Sequence, residues 1–168
     1  MVTQFDLELV QLDVKLAFLH GNLEEEIYMT QLDGFKIFGK ENWVCKLTKS
    51  LYGLKQSPRQ WYKQFDRFMK RQRYTRNKFG HCVYFCKLQE ESFMYLFLYV
   101  DDMLIVSKSK DEIEKLNTQL NQEFKMKDLG DAKKILGIEI YRDKACGKVS
   151  LSQKQYLKKT LLQFGMIE

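Results

Sequence analysis

The longest apolar stretch of the chain, Phe93 to Val106, is interrupted by two adjacent acids, Asp101 and Asp102. A membrane-spanning helix needs about 20 apolar residues with few charges, so this stretch is not a span. It reads instead as two short strands, Phe93–Tyr99 and Met103–Val106, with Asp101-Asp102 at a hairpin tip. Neighbouring carboxylates repel one another, and each resists leaving water. The fold must therefore keep this pair at the rim of an apolar sheet, wet or beside a cation.

The rest of the pattern surrounds that hairpin with strands and helices. Leu7–Val14 alternates apolar and polar residues as a strand ending near Asp13, and Lys15–Leu19 predicts a short helix closed by Gly21-Asn22. Trp43–Leu47 predicts a strand, and Pro58 opens a helix with Trp61, Phe65, Phe68 and Met69 on one face. Cys82–Lys87 pairs with Phe93–Tyr99 across a turn at Leu88–Ser92. Asp111–Phe124 is a helix with the stripe Ile113, Leu116, Leu120 and Phe124, capped by Ser109 or Asp111. Lys134–Tyr141 and Lys148–Leu151 predict a second hairpin around Asp143–Gly147. Ser152 caps a last helix striped with Tyr156, Leu157, Leu161 and Phe164. Helices on one face of a mostly antiparallel sheet is an α+β arrangement.

With 168 residues, 45% of them hydrophobic and 14% aromatic, the chain holds a core of one domain and is not a disordered tail. No basic-then-apolar leader opens it, and four cysteines make no disulfide framework at this length, so the expectation is an intracellular protein with reduced thiols. Cytoplasm and nucleus are not distinguished. Cys82, Cys86 and His81 lack a second ligand pair at finger spacing, which argues for packing and against zinc. A net charge of +6 favours a polyanionic partner. The face Lys63, Arg67, Lys70, Arg71 and Arg73 fits either nucleic-acid phosphates or a solvated helix surface, as do Lys154, Lys158 and Lys159.

Asp13 stands in a strand-like segment, where Asp is depleted. If its strand pairs with the hairpin, three carboxylates meet. Hard oxygen ligands suit Mg²⁺, and a pair of such ions supports phosphoryl transfer. Taken alone, Asp101-Asp102 reads first as ordinary solvated turn chemistry.

Five ordered blocks add to this reading. Asp13–Leu19 with Leu23–Met29, Ser50-Leu51-Tyr52-Gly53-Leu54-Lys55-Gln56-Ser57-Pro58-Arg59-Gln60-Trp61-Tyr62, Leu98-Tyr99-Val100-Asp101-Asp102-Met103-Leu104-Ile105, Met126–Gly130 and Ile135–Ile140 resemble the reverse transcriptase of copia-type LTR retrotransposons. The similarity runs from about Leu9 to Met166. It implies a single domain over 1–168: an antiparallel-sheet, ferredoxin-like polymerase palm with partial fingers and the start of a thumb. It implies an RNA-directed DNA polymerase that joins dNTP to a DNA primer 3′-hydroxyl on an RNA template, alone or with other Pol-derived domains and with no membrane partner.

Carried onto this sequence, the metal-binding acids are Asp13, Asp101 and Asp102, holding Mg²⁺ or Mn²⁺. Phe18 takes the place of the bulky aromatic that excludes a 2′-hydroxyl, with packing of its short helix as the plain alternative. Gln56, Lys55 and Arg59 line the nucleotide and template pocket, and Tyr99 backs the turn near the primer end or faces the core. Two details depart from the family pattern: Gly80 stands where an acid is frequent, and Gln31–Phe35 lacks a proline. The chain opens almost at the first catalytic block and closes at Glu168, so most of the fingers and thumb is expected to be missing. That leaves activity of the isolated chain doubtful and a silent transposon-derived remnant or nucleic-acid-binding module as the alternative.

Overall fold

The computed structural model describes residues 1–89 and 92–166. The turn expected at Leu88–Ser92 therefore falls partly outside the described residues. β1 (Glu8–Val14) leads through a 3-10 turn, Ala17–His20, into β2 (Asn22–Thr30), which pairs with β3 (Val44–Lys49) as a ribbon. α1 (Ser57–Arg71), β4 (Thr75–Arg76), β5 (Val83–Lys87), β6 (Phe93–Tyr99) and β7 (Asp102–Ser107) follow. Then come α2 (Lys110–Glu123), β8 (Met126–Asp131), β9 (Lys134–Ile135), β10 (Ile138–Asp143), β11 (Lys148–Ser152) and α3 (Lys154–Gln163). Among the described residues the strands form a six-stranded sheet in the order β4-β5-β6-β7-β1-β8, a three-stranded sheet β11-β10-β9, and the β2-β3 ribbon. Every pairing among them is antiparallel.

Strand alternation decides which side chains meet the helices. Leu12 faces Met103 and Val10 faces Ile105 across β1 and β7, and Leu96 and Leu98 continue the same face on β6. Against it pack Trp61, Phe65, Phe68 and Met69 of α1 with Ile113, Leu116 and Leu120 of α2, all in one cluster. The side chain of Phe124 lies at the junction, with ring centroids 5.1 Å from Trp61, 6.0 Å from Phe65 and 5.2 Å from Phe68. Burying each such ring contributes about 1.5–3 kcal/mol, and aromatic pairing adds about 0.5–1.5.

The helix starts follow local chemistry. Ser109 caps α2, its hydroxyl accepting from the Glu112 amide at 3.3 Å, while Asp111 and Glu112 complement the positive helix end. In α1, Pro58 occupies the first turn, where its missing N–H costs nothing, and the buried Ser57 hydroxyl donates to the Leu51 carbonyl at 2.6 Å. The start of β1 is tied to the C-terminal sheet by charge. Glu8 accepts from Lys144 at 2.8 Å, with Arg142 and Lys110 each at 4.0 Å. The Lys144 hydrogen bond holds its carboxyl below the usual range, with burial opposing and the three positive charges assisting.

Four expectations change. The strand predicted over Lys134–Tyr141 is split, because Leu136 and Gly137 both take positive φ (49° and 80°) in a two-residue turn that folds Ile138 back against Ile135. Ser152 does not cap α3: Gln153 holds that position without a side-chain bond, and the Ser152 hydroxyl accepts only from the Lys154 amide, two residues on. The α3 stripe finds no core among the described residues, Tyr156 and Phe164 being 61% and 71% exposed, so helix packing on the sheet belongs to α1 and α2. Finally, β2, β4 and β8 add strands that the sequence pattern did not show.

Gly21 marks a tight junction between the 3-10 turn, the end of β3 and α1. A Cβ there would stand 2.9 Å from the Gln60 Cβ and 3.0 Å from both the Ser50 hydroxyl and the Trp61 amide nitrogen. Gly21→Ala is expected to destabilise the chain by about 1–3 kcal/mol through overpacking, read as a lowered urea midpoint. Asp66 supplies a pH test. Burial alone would raise its carboxyl pKa, yet hydrogen bonds from Lys70 and Tyr84 and the charges of Lys70 and Arg76 bring it below the ordinary value. The stabilisation is therefore full above the ordinary carboxylate range and lost as pH falls through the lowered value. The urea midpoint of the natural chain should exceed that of Asp66→Asn at pH 7, and the gap should shrink as pH falls below the ordinary carboxylate range.

Candidate active site

The sheet register brings the early acid to the late pair. Asp13, near the end of β1, is the cross-strand partner of Asp102, the first residue of β7, and Asp102 is also opposite Tyr99 of β6. Because Leu12 and Met103 face the core, the same alternation turns Asp13 and Asp102 to the opposite, open side of the sheet. The connecting turn is Val100-Asp101, one residue tighter than a tip at Asp101-Asp102. The Val14 amide donates to the Asp101 carbonyl at 2.9 Å, which ties the turn to β1 beside Asp13.

Two contacts fix this arrangement. From within the core, the Trp61 indole nitrogen donates to the Val100 carbonyl at 2.6 Å. Val100 has a φ of 56°, a left-handed conformation costly for a β-branched residue, and the bond from Trp61 helps to hold it. On the open side the Gln11 amide donates to an Asp102 oxygen at 3.2 Å, so Gln11 orients one carboxylate. Neither residue was singled out from sequence for this role. Gln11 could have been, since it lies two residues before Asp13 and so shares its face.

The electrostatics carry the mark of crowding. Burial raises the Asp13 carboxyl pKa, the charges of Asp101 and Asp102 raise it further, and Lys127 and Lys15 offset this in part. Lys127 lies opposite Asp13 on β8. Among the described residues no three or more His, Cys, Asp or Glu side chains are gathered closely enough to hold a metal ion as they stand, so Asp13, Asp101 and Asp102 share a strand end without forming a closed ligand cluster. No helix among them is long and apolar enough to cross a membrane.

Around the acids, the structure brings some sequence candidates together and separates others. Phe18 is half-buried on the 3-10 turn, where it packs in part against the core, as its plain alternative expects, and also lines a cavity of about 260 Å³ with Pro58, Trp61, Tyr99 and Val100. Tyr99 is 58% exposed on the Asp102 side of the sheet rather than packed in the core. Lys55 and Arg59 are exposed where α1 begins. Gln56 precedes α1, donating to Glu25 of β2 at 3.2 Å and accepting from Gln60 at 3.5 Å. Much of the basic α1 face is neutralised from within: Lys63 pairs with Glu24, Lys70 with Asp66 at 2.7 Å, and Arg71 with Glu123 at 2.9 Å. These pairs favour the solvated-surface reading of that helix.

The chain is a mixed α/β fragment built on antiparallel sheets, with Asp13 and Asp102 paired at neighbouring strand ends. The family model described as reverse transcriptase (RNA-dependent DNA polymerase) matches residues 1–168. The chain is 55% identical over 166 residues to the retrovirus-related Pol polyprotein from transposon TNT 1-94 of Nicotiana tabacum, covering 99% of this chain and 12% of that protein. It is 36% identical over 157 residues to the Pol polyprotein from transposon RE1 of Arabidopsis thaliana, covering 94% and 10%. With the putative transposon Ty5-1 protein of Saccharomyces cerevisiae it shares 32% over 148 residues, 88% of this chain and 47% of that one. The chain belongs to the reverse transcriptase family, among the domains of copia-type retrotransposon Pol polyproteins. It spans about a tenth of the two plant polyproteins.

Trp61→Phe keeps most of the core volume and removes the donor to Val100. It should cost about 1–3 kcal/mol and speed hydrogen exchange at the Val14 amide, which bonds to the same turn. An unchanged exchange rate at Val14 would show that the turn does not lean on Trp61.

Proposed function

We propose that residues 1–168 form the palm of an RNA-directed DNA polymerase, with partial fingers and the start of a thumb, and that the palm adds dNTP to a DNA primer 3′-hydroxyl. The observation that carries this reading is the pairing of Asp13 with Asp102 on the open sheet face, with Asp101 in the turn tied to Val14. RNA template, primer and further Pol-derived domains are its partners, inside the cell.

The donor chemistry suits a divalent metal: three carboxylates would make an all-oxygen set for Mg²⁺ or Mn²⁺, although Asp13, Asp101 and Asp102 would first have to draw closer together than they stand. Beyond the effect of burial, the charges of Asp101 and Asp102 push Asp13 upward, Lys127 and Lys15 offset this only in part, and a cation would relieve the remainder. Bound there, such ions supply activation of the primer hydroxyl and stabilisation of the leaving pyrophosphate. The chain's own residues do the positioning. Asp13, Asp101 and Asp102 are the metal-binding acids, and Gln11 orients Asp102. Phe18 walls the sugar of the incoming nucleotide against a 2′-hydroxyl. Tyr99, exposed opposite Asp102, supports the primer end. Lys55 and Arg59 face template or triphosphate, with Gln56 at the base of the same loop.

Primer extension on poly(rA)/oligo(dT) with Mg²⁺ tests this. The natural chain should extend the primer, and Asp13→Asn or the pair Asp101→Asn with Asp102→Asn should lower extension by about 100-fold or more, the scale of losing directly acting groups. Duplex binding without extension by the natural chain would instead identify a silent, transposon-derived binding module.

A further inference from the structure

Phe18 does not stand alone. Its ring centroid lies 4.6 Å from that of Tyr52, with the planes inclined by 46°. We propose that Tyr52 is a positioning residue that locks Phe18 in place and so sets the discrimination between deoxyribonucleotides and ribonucleotides. The inference rests on the reading of Phe18 as the sugar wall.

The physical need is plain. A single aromatic ring excludes an extra hydroxyl only while it cannot swing aside. Phe18 sits on a one-turn 3-10 segment whose preceding residue, Leu16, is left-handed (φ 56°), and the cavity it lines with Tyr99 and Val100 offers room to move. Tyr52 supplies the second ring. It is 53% exposed, and its loop is held firmly on both sides. The Ser50 amide donates to the Gly21 carbonyl at 2.9 Å. The Leu51 carbonyl accepts from the Leu54 amide at 3.3 Å and from the buried Ser57 hydroxyl at 2.6 Å. Gly53 takes the left-handed bend (φ 94°) that follows Tyr52 and that a side chain would strain. An exposed ring on so constrained a loop is poorly explained as core filling, whereas pressed against Phe18 it closes one escape route. Contact between aromatic rings of this kind favours one rotamer by about two- to tenfold, which is the size of effect expected on selectivity.

Incorporation of dGTP and GTP opposite a templating C, with KM and kcat separated, and equilibrium binding of both nucleotides on the same template–primer provide the test. The natural chain should prefer dGTP, and Phe18→Ala should abolish most of that preference. Tyr52→Ala should narrow it by about two- to tenfold, mainly by lowering KM for GTP, and Tyr52→Phe should restore it because the ring is kept. Thermal unfolding of each variant checks that the exposed substitution leaves the fold intact. A preference that Phe18→Ala changes and Tyr52→Ala does not overturns the role of Tyr52 while sparing the sugar wall. A preference indifferent to Phe18→Ala, or no binding of either nucleotide, overturns both.

Discussion

The pairing of β1 with β7 is the constraint on which packing and chemistry both depend. Side chains alternate along a strand, so one register sends Leu12 and Met103 into the core and Asp13 and Asp102 out of it. A slip of one residue would reverse all four. The free energy that favours burying Leu12 and Ile105, both fully enclosed, is thus the force that keeps two carboxylates on the open side. No separate interaction is needed to bring the acids across from one another, since apolar burial sets the register.

Trp61 extends the same economy to the hairpin. Its ring belongs to the aromatic cluster around Phe124, while its indole nitrogen holds the left-handed Val100 carbonyl. The short turn therefore rests on the core directly beneath it. Net charge is a poorer guide to function here: the surplus of +6 coexists with a helix on which Lys63, Lys70 and Arg71 are paired with Glu24, Asp66 and Glu123. Lys55 and Arg59, exposed before and at the start of the same helix, are the cations that the proposed site would use.

The elements that were legible in the sequence are those with strong, local periodicity. The stripe of α1 and the stripe of α2 with its Ser109 cap lie where their patterns place them, and the hairpin of β6 and β7 does so apart from its tip, which is Val100-Asp101. The strands that escaped notice have little apolar alternation to show. β8 buries only Met126, β2 carries three consecutive glutamates, and β4 is two residues long. The break inside Lys134–Tyr141 was disguised because Leu136 is a poor residue for a left-handed turn and hides the signal that Gly137 gives. For the proposed site, the sequence offers Asp13, Asp101, Asp102 and Phe18 as candidates, whereas the contacts made by Gln11, Trp61 and Tyr52 join distant segments and leave no trace in a one-dimensional pattern.

Glu8 has a wider reach than its place at the beginning of β1 suggests. It gathers Lys144, Arg142 and Lys110, and so joins the first strand of the main sheet to the three-stranded C-terminal sheet and to the head of α2. Coulomb attraction of this sort is damped by dissolved ions over a distance of about 8 Å at physiological strength. The ionic share of the joint between the two sheets is thus a property of the medium, weakening as electrolyte is added, while the Ala132 amide bonded to the Leu9 carbonyl keeps a share that salt does not touch.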